Sequence, residues 1–407
     1  MIAINVIHET FDIFVNRWST VWSLTLEHIL LSVISIAIAM LISVPLGIYL
    51  TRHKNVAGPI IGITSIFQTI PSLALLVFLV PFIGTGKLPA IIALTIYGLL
   101  PILRNTYIGI MGVNASVIEA GKGMGMTQRQ ILWMVELPLA LRVIMGGVRT
   151  ATVLIIGVAT IAGLIGAGGL GDLIYRGLQT LNTGLILGGA IPSALLALLF
   201  DYVLKKLEQD VTPKGLQANK KVSRRPIKVL RWSVVGIIAL ALIGNFAYKS
   251  IGSNSDNTIV ITGKNFTEQE IMVYIMGHLI EDKTDLNVKY QSFLGGTAPA
   301  FEGLKNGDYD LYCEYTGTGL ISVLNHDMVS DPDEVYDIVS KEFKEKYGLV
   351  WLKPIGFNNT YTLTVRQEDA EKYNLNTISD LKAVAPNMSL GSEPEFLERK
   401  DRSEEHT

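Results

Sequence analysis

The sequence predicts a helical membrane domain followed by a soluble α/β domain, and three observations carry that reading. Six apolar segments are long enough to cross a bilayer as helices. Charge is divided sharply along the chain. Up to Ile251 there are 9 acidic and 20 basic residues; from Gly252 onward there are 27 acidic and 14 basic. The acidic part alternates strand-like and helix-like runs, the pattern of an α/β domain. Across 407 residues, 49% hydrophobic, 17% charged and a mean hydropathy of +0.39 are too apolar for one soluble globule and too polar for immersion in lipid.

In chain order, spans are expected near Glu27–Leu50, Pro59–Phe82, Leu88–Met111, Arg142–Ile165, Gly184–Val203 and Leu230–Tyr248. The first twenty residues contain Glu9, Asp12 and Arg17, and no cleavable signal peptide is evident. Arg52, His53 and Lys54 follow the first span. Lys205 and Lys206 close the fifth, and a basic linker over 207–229 adds Lys214, Lys220, Lys221, Arg224, Arg225 and Lys228. The excess of positive charge places these segments in the cytoplasm. Alternation then puts 119–138 there as well, with the N-terminus and the acidic domain outside. The domains expected are a five-helix membrane domain over 1–206, the linker, a sixth helix over 230–249 as an anchor, and an extracellular domain over 256–401. Lipid headgroups account for the basic residues beside the spans, so no nucleic-acid partner is expected.

Between the third and fourth spans lies the polar stretch EAGKGMGMTQRQILWMVELP, Glu119–Pro138. Its local reading is a helix ended near Gly123 or Gly125, a turn, and a second helix stopped by Pro138. It resembles the cytoplasmic coupling loop of bacterial ABC importer permeases: EAA, three residues, Gly, nine residues, then Ile-x-Leu-Pro. Glu119, Ala120, Gly125, Leu137 and Pro138 match; Gly121 stands for the second Ala and Val135 for the Ile. The resemblance implies that this loop seats on a cytoplasmic ATPase subunit. Two further runs are similar to the quaternary-amine importers of this group. One is QTIPSLALL, with the polar residues Gln68, Thr69 and Ser72 inside the second span. The other is LIGAGGLG, Leu164–Gly171, expected to serve close helix packing or a flexible turn.

The outer domain opens with a β-like run at Thr258–Val260 and a helix through Ile271–Glu281, capped by Thr267 or Asn265. A strand over Asn287–Phe293, a helix from Leu294-Gly295-Gly296-Thr297 to about Gly307, and a strand over Asp310–Tyr315 follow. The runs GKNFTEQEIM, LGGTAPAFEGLKNGDYDLYCEYTGT and GFNNTYTLTV resemble the binding proteins of glycine betaine, carnitine and choline importers. Together the resemblances imply a MetI-like permease fused to a type 2 periplasmic-binding-protein-like domain, the fused form familiar from Gram-positive bacteria. They also imply a plasma-membrane location, a second permease copy as partner, and no ATP-binding loop of the chain's own. A trimethylammonium group has no hydrogen-bond donor, so aromatic faces suit it through cation–π attraction. Tyr315 is the favoured cage residue and Tyr312 the second. Asp310, Thr297 and Tyr361 are further candidates, while Tyr274 reads mainly as packing.

No catalytic or metal-binding constellation is evident, and no cofactor is expected. The single cysteine, Cys313, allows no internal disulfide. The second lobe is expected to be cut short near Asp401, leaving part of the cage beyond it. The last six residues, Arg402–Thr407, are what the adapter-like string AGATCGGAAGAGCACACG encodes, and a non-native tail is the expectation. Two rivals stand beside the quaternary-amine importer: an importer for another small ligand such as an amino acid, and a membrane-anchored sensor.

Overall fold

The computed structural model describes residues 2–180, 182–211, 257–291, 296–359 and 362–392. Residues 212–229 of the expected linker, the sixth span, Tyr361 and the tail expected over 402–407 lie outside the described residues; 207–211 continue the fifth span's helix. The chain divides into two units, Met1–Tyr312 and Cys313–Thr407.

The first unit begins with α1 (Ile2–Asn16) and α2 (Trp18–Arg52), a 35-residue helix that contains the expected first span. The second span is not one helix. It is α3 (Lys54–Thr69) and α4 (Ser72–Ile83), bent by 95° where Pro71 interrupts the backbone ladder. The break is tolerated because the freed Ile70 carbonyl accepts the Tyr97 hydroxyl. Gln68 donates to the Tyr97 carbonyl at 3.2 Å, so this predicted polar residue faces protein. Next come α5 (Lys87–Met111), α6 (Ala115–Gly123) and α7 (Gln128–Ile131). A π-helical turn over Leu132–Glu136 leads directly into α8 (Leu137–Ala159). Pro138 therefore does not stop a helix, contrary to expectation. It sits in the first turn of α8, and the wider turn before it absorbs the missing N–H.

A 3₁₀ turn over Ile161–Ile165 and the glycine-rich segment precede α9 (Leu170–Gln179), which the sequence reading missed, and α10 (Thr183–Val211). That segment packs closely. A Cβ on Gly171 would stand 1.8 Å from the Thr160 carbonyl oxygen. Among the described residues, four helices are long and apolar enough to cross a bilayer, and the bent α3–α4 pair makes a fifth if taken as one span. Their core is built by α2, α5 and α8. Leu31, Ala39, Leu94, Ile102, Val148 and Ile155 are buried there. Gly98 lets α5 approach α8, since a Cβ would meet Ile155 Cδ1 at 2.8 Å.

The same unit carries a three-stranded parallel sheet in the order β2-β1-β3. Its elements are β1 (Thr258–Thr262), α11 (Thr267–Lys283), β2 (Asn287–Gln291), α12 (Thr297–Lys305) and β3 (Leu311–Tyr312). Thr262 pairs with Gln291 on one side and with Tyr312 on the other. Parallel strands joined by helices are what the alternation predicts. Two details differ. Phe266, not Thr267 or Asn265, takes the cap position of α11, and β3 is only two residues long.

The second unit holds α13 (Thr316–Thr318), a π-helical turn over Gly319–Val323, α14 (Pro332–Tyr347) and α15 (Gln367–Tyr373). Asp331 caps α14 by accepting the N–H groups of Asp333 and Glu334. Val335, Val339 and Phe343 are buried, and Phe343 meets Trp351 edge-on at 5.3 Å.

Candidate functional site

The segment 119–138 folds as a helical hairpin whose shape follows from local chemistry. Asn114 starts α6 by accepting the Ser116 N–H at 3.0 Å. Gly125 ends it at φ +77, with the Gly125 N–H on the Lys122 carbonyl and the Met126 N–H on the Gly121 carbonyl. That pair of bonds is a Schellman motif, and it needs a left-handed residue where Gly125 stands. Thr127 and Gln130 then form a reciprocal capping box. Gly121 is buried, and a Cβ there would meet Met126 Sδ at 3.3 Å. Glu119, Ala120 and Gly125 are exposed, while Leu137 and Pro138 are half-buried.

The hairpin also exposes Val117, Met124, Trp133 and Met134, a set of large apolar groups around the tip. Sequence reasoning missed its fastening. Glu136 is buried inside the π-helical turn and forms an ion pair with Arg52 at the end of α2. Helix α5, 25 residues and so about 37 Å long, separates this hairpin from the Gly84–Gly86 turn at its other end.

The α/β lobe presents the carboxyl ends of three parallel strands, the edge where open α/β sheets take ligands. Tyr312 closes β3 and is half-buried, packed against Ala300 and Tyr309. Thr297 is buried at the start of α12, one turn before Ala300. Asp310 holds two strands together. Its Oδ2 accepts the Val260 N–H at 2.8 Å, and its own N–H reaches the Val260 carbonyl at 2.9 Å. Residues the sequence reading did not single out also lie at this edge. Lys264 is buried after β1, its N–H 3.3 Å from Gln269 Oε1, and the Thr262 hydroxyl donates to the Gln291 carbonyl at 2.8 Å. Their signal was the polar run Gly263-Lys264-Asn265 directly after a strand. Tyr274 stacks on Tyr290 at 5.1 Å, in keeping with packing. In the second unit Tyr315 is half-buried at the start of α13. Its N–H donates to Glu314 Oε1 at 2.8 Å and its carbonyl accepts the Gly319 N–H at 2.9 Å.

Comparison with known proteins covers both parts. Residues 43–213 match the binding-protein-dependent transport system inner membrane component family. Residues 257–407 match the substrate binding domain of ABC-type glycine betaine transport systems. The glycine betaine/carnitine/choline transport system permease protein OpuCB of Bacillus subtilis is 52% identical over 197 residues, 48% of this chain and 91% of that protein. The ergothioneine transport permease/ergothioneine binding protein EgtU of Helicobacter pylori is 32% identical over 89% of this chain, which spans 65% of that protein's length. Among solved structures, a chain of the MetNI methionine ABC transporter in inward-facing form aligns at TM-score 0.44 with 26% identity, over 48% of this chain and 95% of that one. The chain belongs to the binding-protein-dependent ABC importer permeases, as a MetI-like helical domain fused to a substrate-binding domain of the glycine betaine type.

Proposed function

We propose that this chain is the permease and binding component of an ATP-driven importer for quaternary-ammonium compatible solutes: glycine betaine, choline and carnitine. The carrying observation is the placement of two devices within one unit. An exposed apolar-tipped hairpin with the coupling motif lies at one end of α5, and a binding-protein lobe carrying Tyr312 lies in the same unit. The hairpin seats on a separate ATPase subunit, which supplies hydrolysis. Two copies pair around the solute path. The multi-pass chain sits in the plasma membrane with the hairpin in the cytoplasm and the α/β domain outside, in a Gram-positive cell as the Bacillus relative suggests. Tyr315 is the first choice and Tyr312 the second for the ring faces that take the trimethylammonium group; Asp310, Thr297 and Tyr361 are further candidate ligand residues, and Asp310 also bonds β1 through its carboxylate. Each desolvated ring contact contributes roughly 0.5–2 kcal/mol.

A second ligand reading is favoured by the ergothioneine relative, because it matches both domains of this chain. Ergothioneine also bears a trimethylammonium group, so the same aromatic chemistry would serve it. Calorimetry separates the readings. The purified chain is titrated with glycine betaine, choline, carnitine, ergothioneine and methionine. Binding of the first three is expected. A preference for ergothioneine selects the second reading, and binding of methionine alone rejects both.

A further inference from the structure

The turn joining α4 to α5 is shaped around the α/β lobe. Gly84 and Gly86, on either side of Thr85, both have positive φ, +87 and +90. The Thr85 N–H donates to Asp308 Oδ2 at 2.8 Å, and the Thr85 hydroxyl donates to the same oxygen at 3.1 Å. Thr85 Oγ1 is also hydrogen-bonded to the Tyr309 hydroxyl at 2.7 Å. Thr85 and Tyr309 are only 7% and 3% exposed. Burial pushes the Tyr309 hydroxyl up to about 12, so it stays protonated at neutral pH.

A glycine clears space on each side of this contact. A Cβ on Gly84 would lie 2.6 Å from Asp308 Oδ2, and one on Gly303 would lie 2.2 Å from Tyr309 Cε2. A second turn adjoins the first, because the Gly86 N–H donates to the Ile165 carbonyl at 2.8 Å. Its neighbour Gly166 accepts the Gln291 side-chain amide at 2.9 Å. A third contact is looser: Arg176 Nη1 on α9 stands 3.9 Å from Glu270 on α11. The hairpin over 119–138 uses none of these contacts, and the candidate ligand edge meets them through Gln291 and through Tyr309, on which Tyr312 packs.

We propose that the turns at Gly84–Gly86 and Ile165–Gly166 form a docking seat in cis, on which the first lobe of the binding domain is held by Asp308, Tyr309 and Gln291. The chain's own permease is the occupant's partner, and not the second copy. Two of the bonds run to backbone groups and the two glycines admit no side chain, so the seat is specific in shape as well as in charge.

Crosslinking of the full chain in membranes tests this without reference to transport. In a Cys313→Ser background, Thr85→Cys and Asp308→Cys placed in one chain should be joined by a short thiol crosslinker without forming a dimer. Two copies carrying one cysteine each should not be joined. A dimer from the mixed copies, or no crosslink in the double variant, overturns the proposal. A second arm rests on the importer reading. Asp308→Ala should lower solute uptake about ten-fold, the loss of a charge-assisted hydrogen bond, with ligand affinity unchanged. Wild-type uptake in Asp308→Ala overturns the seat's role in transport. Absence of uptake in the unmodified chain tells against the importer reading, and the crosslinks still report on the seat.

Discussion

Replacing Arg52 tests how the coupling hairpin is fixed to the bundle. The Glu136 side chain is 4% exposed and that of Arg52 is 40% exposed. Removing the arginine strands a buried carboxylate. For a fully buried pair that costs about 3–5 kcal/mol. The half-open arginine lets water screen part of the charge, which brings the expected cost of Arg52→Ala to about 2 kcal/mol. Glu136→Gln keeps the shape and an acceptor, and should cost about 1 kcal/mol. If the two groups act on each other, the double variant should be less destabilised than the sum by about 1 kcal/mol. Unfolding of the purified chain measures all four corners of the cycle, and ATP hydrolysis per solute transported reads the coupling. Arg52→Ala should raise futile hydrolysis. Additivity to within about 0.5 kcal/mol would refute the clasp, because independent sites add.

Gly125→Val places a β-branched residue at φ +77; it should cost at least about 1–2 kcal/mol and abolish solute-stimulated hydrolysis with ligand binding intact, whereas Gly125→Asn should be milder. Normal stimulation in Gly125→Val would remove the hairpin from coupling. Tyr315→Ala should weaken glycine betaine binding by about 1–3 kcal/mol and Tyr315→Phe much less, as titration calorimetry can read. In a Cys313→Ser background, a thiol probe at Gly123→Cys should react only from the cytoplasm, and one at Asn306→Cys only from outside. Reversal at either position overturns the orientation.

What the sequence made legible was what depends on composition and short-range chemistry. Apolar runs of bilayer length revealed α2, α5, α8 and α10, and the spacing from Glu119 to Pro138 revealed the hairpin with its glycine turn. The bend at Pro71 was hidden because the residues on both sides of it stay apolar. What stabilises that bend is the Tyr97 hydroxyl, supplied by a helix elsewhere in the chain. Pro138 misled for a related reason: a proline stops a helix only when nothing upstream can widen, and the turn over Leu132–Glu136 widens. Arg52 and Glu136 stand 84 positions apart, and no local pattern couples them. The candidate tyrosines could be named from a resemblance, whereas the bond from the Val260 N–H to the Asp310 carboxylate depends on strand pairing that no local pattern shows.

Solute uptake is the decisive measurement for the importer reading. The chain is reconstituted in liposomes with its ATPase subunit, with ATP supplied on the hairpin side and labelled glycine betaine on the other. ATP-dependent accumulation is expected, competed by choline and carnitine and lost in Gly125→Val. Accumulation without ATP, or ATP-dependent uptake of an amino acid that quaternary amines do not compete, would contradict it.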